Sequence, residues 1–98
     1  MRHQGATVHE LARVAELSVL PGETLTKLAR ELERHELGPG DELDAGDRFA
    51  VVLSGLVNGP EGVLRPGDRA SGQLRAMTPS AVATCDRSEY EAITREGR

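Results

Sequence analysis

Aromatic side chains are almost absent from this chain: Phe49 and Tyr90 stand alone, and there is no tryptophan. Any core must therefore be filled by Leu, Val and Ala. A nucleic-acid surface of interleaved basic and aromatic residues is not on offer either. Lysine is nearly missing too. Lys27 is the single lysine among 12 basic residues and does not follow a glycine, which excludes a Walker A phosphate loop. One cysteine, Cys85, excludes an internal disulfide and a multi-cysteine zinc site, and is consistent with a cytoplasmic protein. No apolar run approaches a membrane span, and no secretory signal is recognisable. The net charge of −4 is spread as interspersed charges of both signs, with no basic stripe. Neither nucleic acid nor a membrane is an expected partner.

What is present suits one small domain spanning residues 1–98, with 1–6 and 95–98 expected to be flexible. Leu, Ile, Val and Phe supply 22 residues, enough for a small core of modest stability. Thr7 and Glu10 form a capping-box pattern, and Val8, Leu11, Ala12 and Ala15 follow at helical spacing, so a helix is expected over 7–17. After "SVLPG", Leu25, Leu28, Ala29 and Leu32 fall on one face, with Glu23 and Lys27 as an i,i+4 pair; this predicts a second helix over 22–34.

From residue 35 the period changes. Turn signals recur at "GPGD", "AGD", "SG", "NGPEG" and "RPGD", with short apolar pieces between them: "FAVVL" at 49–53, "LV" at 56–57, "VL" at 63–64 and "AVATC" at 81–85. Short strands separated by Gly/Pro turns indicate a β-sandwich, roll or barrel. Pro39, Pro60 and Pro66 belong in the turns, because proline cannot donate to a ladder. Asp86 and Glu89 repeat the capping-box spacing, and Tyr90 with Ile93 completes a last short helix.

This order of motifs resembles the cyclic-nucleotide-binding domain of the catabolite-activator type. Leu17 to Pro21 with Leu25, Leu28 and Leu32 resemble its N-terminal helical pair. Pro39-Gly40-Asp41 and Gly46-Asp47 resemble its first strand turns, and Val51 to Gly55 with Val57 its "vvlsG.v" strand. Leu64 with Pro66-Gly67-Asp68 looks like its "l.pGd" turn, and Val82 to Cys85 with Asp86, Arg87, Glu89, Tyr90 and Ile93 its final strand and helix. The resemblance implies a mainly β fold with flanking helices: a cyclic-nucleotide-binding-like β-roll of jelly-roll type, with two N-terminal helices, about six or seven short strands and one short C-terminal helix.

In that family the ligand is held just after "l.pGd". A Gly-Glu-Leu/Ile segment starts a short helix there, and an arginine followed by small residues completes the cassette. Glycine and a helix N-terminus present N–H groups to phosphate, arginine adds charge-assisted bonds, and glutamate accepts from the ribose. Here Asp68 is followed by "RASGQLRAMTPSAVA", far shorter than the family's passage. Two alignments are open. Either Gly72-Gln73-Leu74 stands for Gly-Glu-Leu and Arg75-Ala76 for the arginine end, with the helix between them deleted, or Arg69 to Leu74 is a tight connection and the cassette is gone. Gly72, Gln73 and Arg75 are thus the candidate ligand-binding residues. The hairpin "VNGPEGV" is also short, which removes one wall of the family's pocket.

Other constellations read as structure. Asp41, Glu42, Asp44 and Asp47 do not match an EF-hand loop and read as solvated turn and edge-strand carboxylates, which also discourage edge pairing. His3, His9 and His35 lack a fixed third ligand, and His35 reads as a charge at the C-terminus of the second helix. Ser54 has no nucleophile elbow, and Cys85 reads as a small buried hydrophobe. The chain stops soon after Ile93, so the dimerising helix and helix-turn-helix of the transcription factors are not expected within it. The sequence thus points to a bacterial, cytoplasmic, non-catalytic regulatory or protein-interaction module that has lost nucleotide binding, with no cofactor or metal. Its expected partner is another protein or a second copy. The alternative is a sensor of a cyclic nucleotide or other small anion in a reduced pocket.

Overall fold

Two segments, "FAVVLS" and "SAVATC", are apolar or small at every position, so they belong between two layers rather than at a half-wet surface. The computed structural model, which describes Leu11 and residues 17–96, places them there. In chain order its elements are α1 (Gly22–Glu31), β1 (Glu33–Leu37), β2 (Glu42–Asp44), β3 (Phe49–Ser54), β4 (Val57–Gly59), β5 (Gly62–Leu64), β6 (Gln73–Ala76), β7 (Ser80–Cys85) and α2 (Arg87–Glu96). The strands form two antiparallel sheets, ordered β1-β7-β3 and β2-β6-β4-β5.

The three-stranded sheet is the middle layer. Phe49, Val51 and Leu53 of β3, with Ala81, Ala83 and Cys85 of β7, meet Leu25, Leu28 and Ala29 of α1, as well as Leu11, Leu17 and Leu32. Tyr90 and Ile93 of α2 pack on the same cluster. The alternate residues, Ala50, Val52 and Val82, face the four-stranded sheet and meet Val57 and Leu74. Each residue of these two strands therefore chooses a layer by its parity.

Three expectations change. The helix expected over 22–34 ends at Glu31. Leu32 turns extended (φ −77°, ψ 135°), and residues 33–37 pair with β7 from Glu33↔Thr84 to Leu37↔Ser80. Tertiary pairing here overrides a locally good helix sequence. His35 accordingly lies on β1 and is no helix-end charge. Residues 73–76, read either within a cassette remnant at 72–76 whose helix is deleted or, as far as Leu74, within a tight connection from Arg69, form β6, a central strand between β2 and β4. The helix expected over 7–17 falls, apart from Leu11 and Leu17, outside the described residues. The acidic turn residues behave as expected: Asp41 Oδ2 accepts from Gly38 N–H at 2.8 Å, and Asp44 Oδ1 from Gly46 N–H at 3.0 Å.

Between Val52 and Ser54 the β3–β7 register slips by one residue, and the chain then leaves the sheet through Gly55. Gly55 has φ +81°, and a Cβ there would sit 2.8 Å from Ser80 Cα and closer still to Pro79 O and Ser80 Oγ. Both the dihedral and the approach demand glycine.

Cys85 closes β7 beneath the helices and is 6% exposed. Burial pushes its thiol up to about 11; the carboxylates of Glu89, Asp86 and Glu31 add to the rise, and Arg48 opposes it. The thiol is therefore protonated and inert at neutral pH, as for a packed side chain rather than a nucleophile.

Two measurements check this packing. Gly55→Ala should lower the unfolding free energy by about 2 kcal/mol or more in urea titration, since strain and clash coincide; an unchanged midpoint would contradict the close crossing. Alkylation of Cys85 in the native protein should be slow at pH 8 and rise toward pH 11, while the denatured chain reacts as an ordinary thiol. Equal rates in both states would refute the burial.

Candidate functional site

The route between β5 and β6 decides whether a phosphate can be cradled. After Leu64, Arg65 N–H donates to Asp68 Oδ2 at 2.9 Å, and Asp68 N–H to Arg65 O at 2.9 Å, closing a turn at Pro66-Gly67. The chain then runs along the open edge of β3: Gly67 N–H donates to Val52 O, Val52 N–H to Asp68 O, and Ala70 N–H to Ala50 O, at 2.8–3.0 Å. Arg69 forms an antiparallel bridge with Val51. Residues 65–72 contain no helix. They have become an edge cover for the middle sheet, with the N–H groups of Gly67 and Ala70 committed to β3.

The interior of the roll is filled. Ala45, Ala50, Val52, Val57, Ala70, Leu74 and Val82 are each at most 7% exposed, and Leu37, Leu43 and Leu64 pack against them. At one end of this layer His35 Nε2 lies 3.0 Å from Thr84 Oγ1, which is fully buried, and 3.6 Å from Glu33 Oε1.

The strand period of β6 separates the sequence candidates from this interior. Leu74 and Ala76 point inward, whereas Gln73 and Arg75 are exposed on the outer face. Gly72 adopts φ +71° at the strand entrance, where its N–H donates to Gly46 O and a Cβ would meet Pro60 Cγ at 3.2 Å. Arg75 is the cross-strand neighbour of Glu42 and of Asn58, and Asn58 in turn of Val63, which makes a row across all four strands. Gln73 and Arg75 share an open groove of about 280 Å³ with Glu42, Asn58 and Pro60. The structure thus brings Gln73 and Arg75 together, with Gly72 beside them, on a solvent-facing sheet.

One contact was not signalled by any motif. The Phe49 and Tyr90 rings stack with centroids 3.9 Å apart and planes 8° from parallel, and the Arg69 guanidinium lies 4.6 Å from the Phe49 centroid and 5.5 Å from that of Tyr90. Both aromatics of the chain and the arginine of the edge cover are thereby joined, tying residues 65–72 to α2. The scarcity of aromatics was the available hint. A second groove, of about 340 Å³, runs between α1 and α2 along Lys27, Arg30, Glu31, Glu89 and Ile93. There the Glu89 carboxyl is held above its ordinary range by a hydrogen bond with Glu31 and by the Glu31 charge, with Asp86 adding to the rise. Among the described residues no group of three His, Cys, Asp or Glu could hold a metal ion, and no helix is long and apolar enough to cross a membrane.

No family model matches the sequence, and comparison with curated proteins gives no match. Comparison of the structure with solved ones does. A substituted regulatory subunit of a cAMP-independent protein kinase A from Trypanosoma brucei, bound to cAMP in its A site, superposes with a TM-score of 0.72 at 20% identity, over 92% of this chain and 42% of that one. A cyclic-nucleotide-binding-like protein from Brucella abortus gives 0.60 at 21% identity, over 90% and 97%. The N-terminal domain of a transcriptional regulator from Streptomyces coelicolor gives 0.64 at 19%, over 89% and 78%. The chain spans about two-fifths of the length of the kinase regulatory subunits it matches. At these identities the likeness is one of fold, and the fold is that of a cyclic-nucleotide-binding-like domain.

Proposed function

We propose that this chain is a non-catalytic regulatory module that uses a jelly-roll-type cyclic-nucleotide-binding-like scaffold, in the cytoplasm, for contact with protein rather than for binding a cyclic nucleotide. One observation carries the reading. Residues 65–72, where the family would place its phosphate cassette, pass without a helix and commit the N–H groups of Gly67 and Ala70 to β3, those of Arg65 and Asp68 to their own turn and that of Gly72 to Gly46 O. Phosphate recognition by backbone requires N–H groups that point at the ligand, and here Gly67 and Ala70 donate to Val52 and Ala50 instead. The filled interior, with Leu74 and Val57 against Val52 and Val82, supports the same reading, because a nucleotide would have to displace packed side chains. The regulatory roles printed for the structural neighbours support a regulatory module over an enzyme.

A second reading rests on the outer groove. Gly72, Gln73 and Arg75, with Asn58 opposite, would hold a small anion through the guanidinium and two side-chain amides. Glu42, across the strand from Arg75, opposes this charge, and the groove ranks second for that reason.

Two experiments separate the readings. Titration calorimetry with cAMP and cGMP up to millimolar concentration should give no heat; a micromolar dissociation constant would overturn the first reading. Amide shifts recorded while inorganic phosphate is added would support the second if they cluster at 58–60 and 72–75 and fade in Arg75→Ala, a loss of about 1.5–3 kcal/mol for a charge-assisted bond. Shifts that survive Arg75→Ala would remove it.

A further inference from the structure

A regulatory module that acts by contact needs a surface, and the sheet edges of this fold are unequal. The edge of β3 is covered by residues 67–70. The edge of β1 carries Arg34 and Glu36 already closed on each other at 2.5 Å, and its centre, His35, is bonded to Thr84. The edge of β2 carries Glu42 and Asp44, two acids that would repel a second copy. The fourth edge, β5, is "GVL", with no charge on the strand and Val63 50% exposed.

The hairpin fixes which backbone groups of β5 are free to pair. Gly59 and Gly62 close a two-residue loop, Pro60-Glu61, and such a closing pair exchanges hydrogen bonds with itself. The alternation then directs Gly62 and Leu64 toward β4 and leaves the N–H and C=O of Val63 pointing away from the sheet. Proline stands beyond each end of the strand, at Pro60 and Pro66, and the Arg65 backbone is turned back into its bonds with Asp68. Only one antiparallel self-pairing fits between these limits, and it is centred on Val63.

In that register Val63 faces Val63 of the second copy, exchanging two backbone hydrogen bonds, and Gly62 faces Leu64. The residues flanking the strand are Glu61 and Arg65, both exposed. About the same two-fold axis Glu61 of each copy stands opposite Arg65 of the other, so two opposite-charge pairs bracket the apolar centre. A sequence of the form Glu-Gly-Val-Leu-Arg is self-complementary only when read antiparallel about its middle residue. A parallel pairing would set Glu61 on Glu61.

We infer that β5 is a homodimerisation edge: two copies of this chain join antiparallel about Val63 into one continuous eight-stranded sheet, closed by reciprocal Glu61–Arg65 pairs. This is an isologous contact, which closes at two copies and does not propagate. The inference rests on the proposed role in protein contact but not on the absence of nucleotide binding, because Glu61 and Arg65 lie outside the roll interior.

The test is the oligomeric state of the 98-residue chain by sedimentation velocity across micromolar to millimolar concentration, at low salt. The wild type should move from monomer to dimer over this range. Glu61→Arg and Arg65→Glu alone should each weaken the dimer at least tenfold, since each sets like charges opposite. The double swap Glu61→Arg/Arg65→Glu should restore it, a rescue that neither misfolding nor a different interface would give. A wild type that stays monomeric at millimolar concentration, a dimer indifferent to the single swaps, or a double swap that fails to restore it would each overturn the inference. Heat from cAMP, by contrast, would sink the preceding reading and leave this one standing.

Discussion

The pairing of β3 with β7 is the constraint on which the rest of the fold depends. Both strands are buried on both faces, so neither can be satisfied unless a helical layer covers one side and a second sheet the other. Parity then sorts the side chains. Phe49, Val51 and Leu53 serve the helices, and Ala50 and Val52 serve the roll. The residues between Val52 and Ser54 break the register, and Gly55 lets the chain leave by passing over the Pro79-Ser80 backbone, a crossing no Cβ could share.

The same constraint explains the fate of residues 65–72. A strand buried on both faces still has an edge, and β3 has β7 on one side only. The hydrogen bonds of Gly67, Asp68 and Ala70 to Val52 and Ala50 complete it. A segment committed in this way cannot also form a helix that offers its N–H groups to a ligand. Arg69 then reaches from the edge cover over the stacked Phe49 and Tyr90, so one short connection joins the middle sheet to α2. The roll interior behind this connection is packed. Small residues, Ala45, Ala50 and Ala70, let the two sheets close on Val52, Val57, Leu74 and Val82.

Charge is distributed with the same economy. Acids at Asp41, Asp44 and Asp68 bond turn amides. Those at Glu33 and Glu36 engage neighbours on β1, whose edge they occupy. The outer face of the four-stranded sheet carries the row Glu42, Arg75, Asn58 and Val63, which grades from acid to apolar toward β5. The apolar end of that row is where a neighbouring sheet would meet it.

Much of this was legible in residue order. Turn chemistry at "GPGD", "AGD" and "RPGD" marked the corners, the apolar runs marked β3 and β7, and the spacing of Leu25, Leu28 and Ala29 marked the inward face of α1, because these are local properties of the chain. The strands β1 and β6 were not legible. "ERHEL" and "QLRA" carry no strand signature of their own and are strands only because β7 and the β2/β4 pair lie beside them. The candidates Gly72, Gln73 and Arg75 came from one alignment with the family that the motifs resemble, but which way they face was beyond the sequence. A shift of one residue in the register of β6 would have turned Arg75 inward and Leu74 out. The sequence by itself determined the apolar runs of the middle layer and the turns between the strands. Tertiary pairing alone decided that residues 65–72 are an edge strand's cover, because hydrogen bonds between segments distant in the chain leave no trace in local pattern.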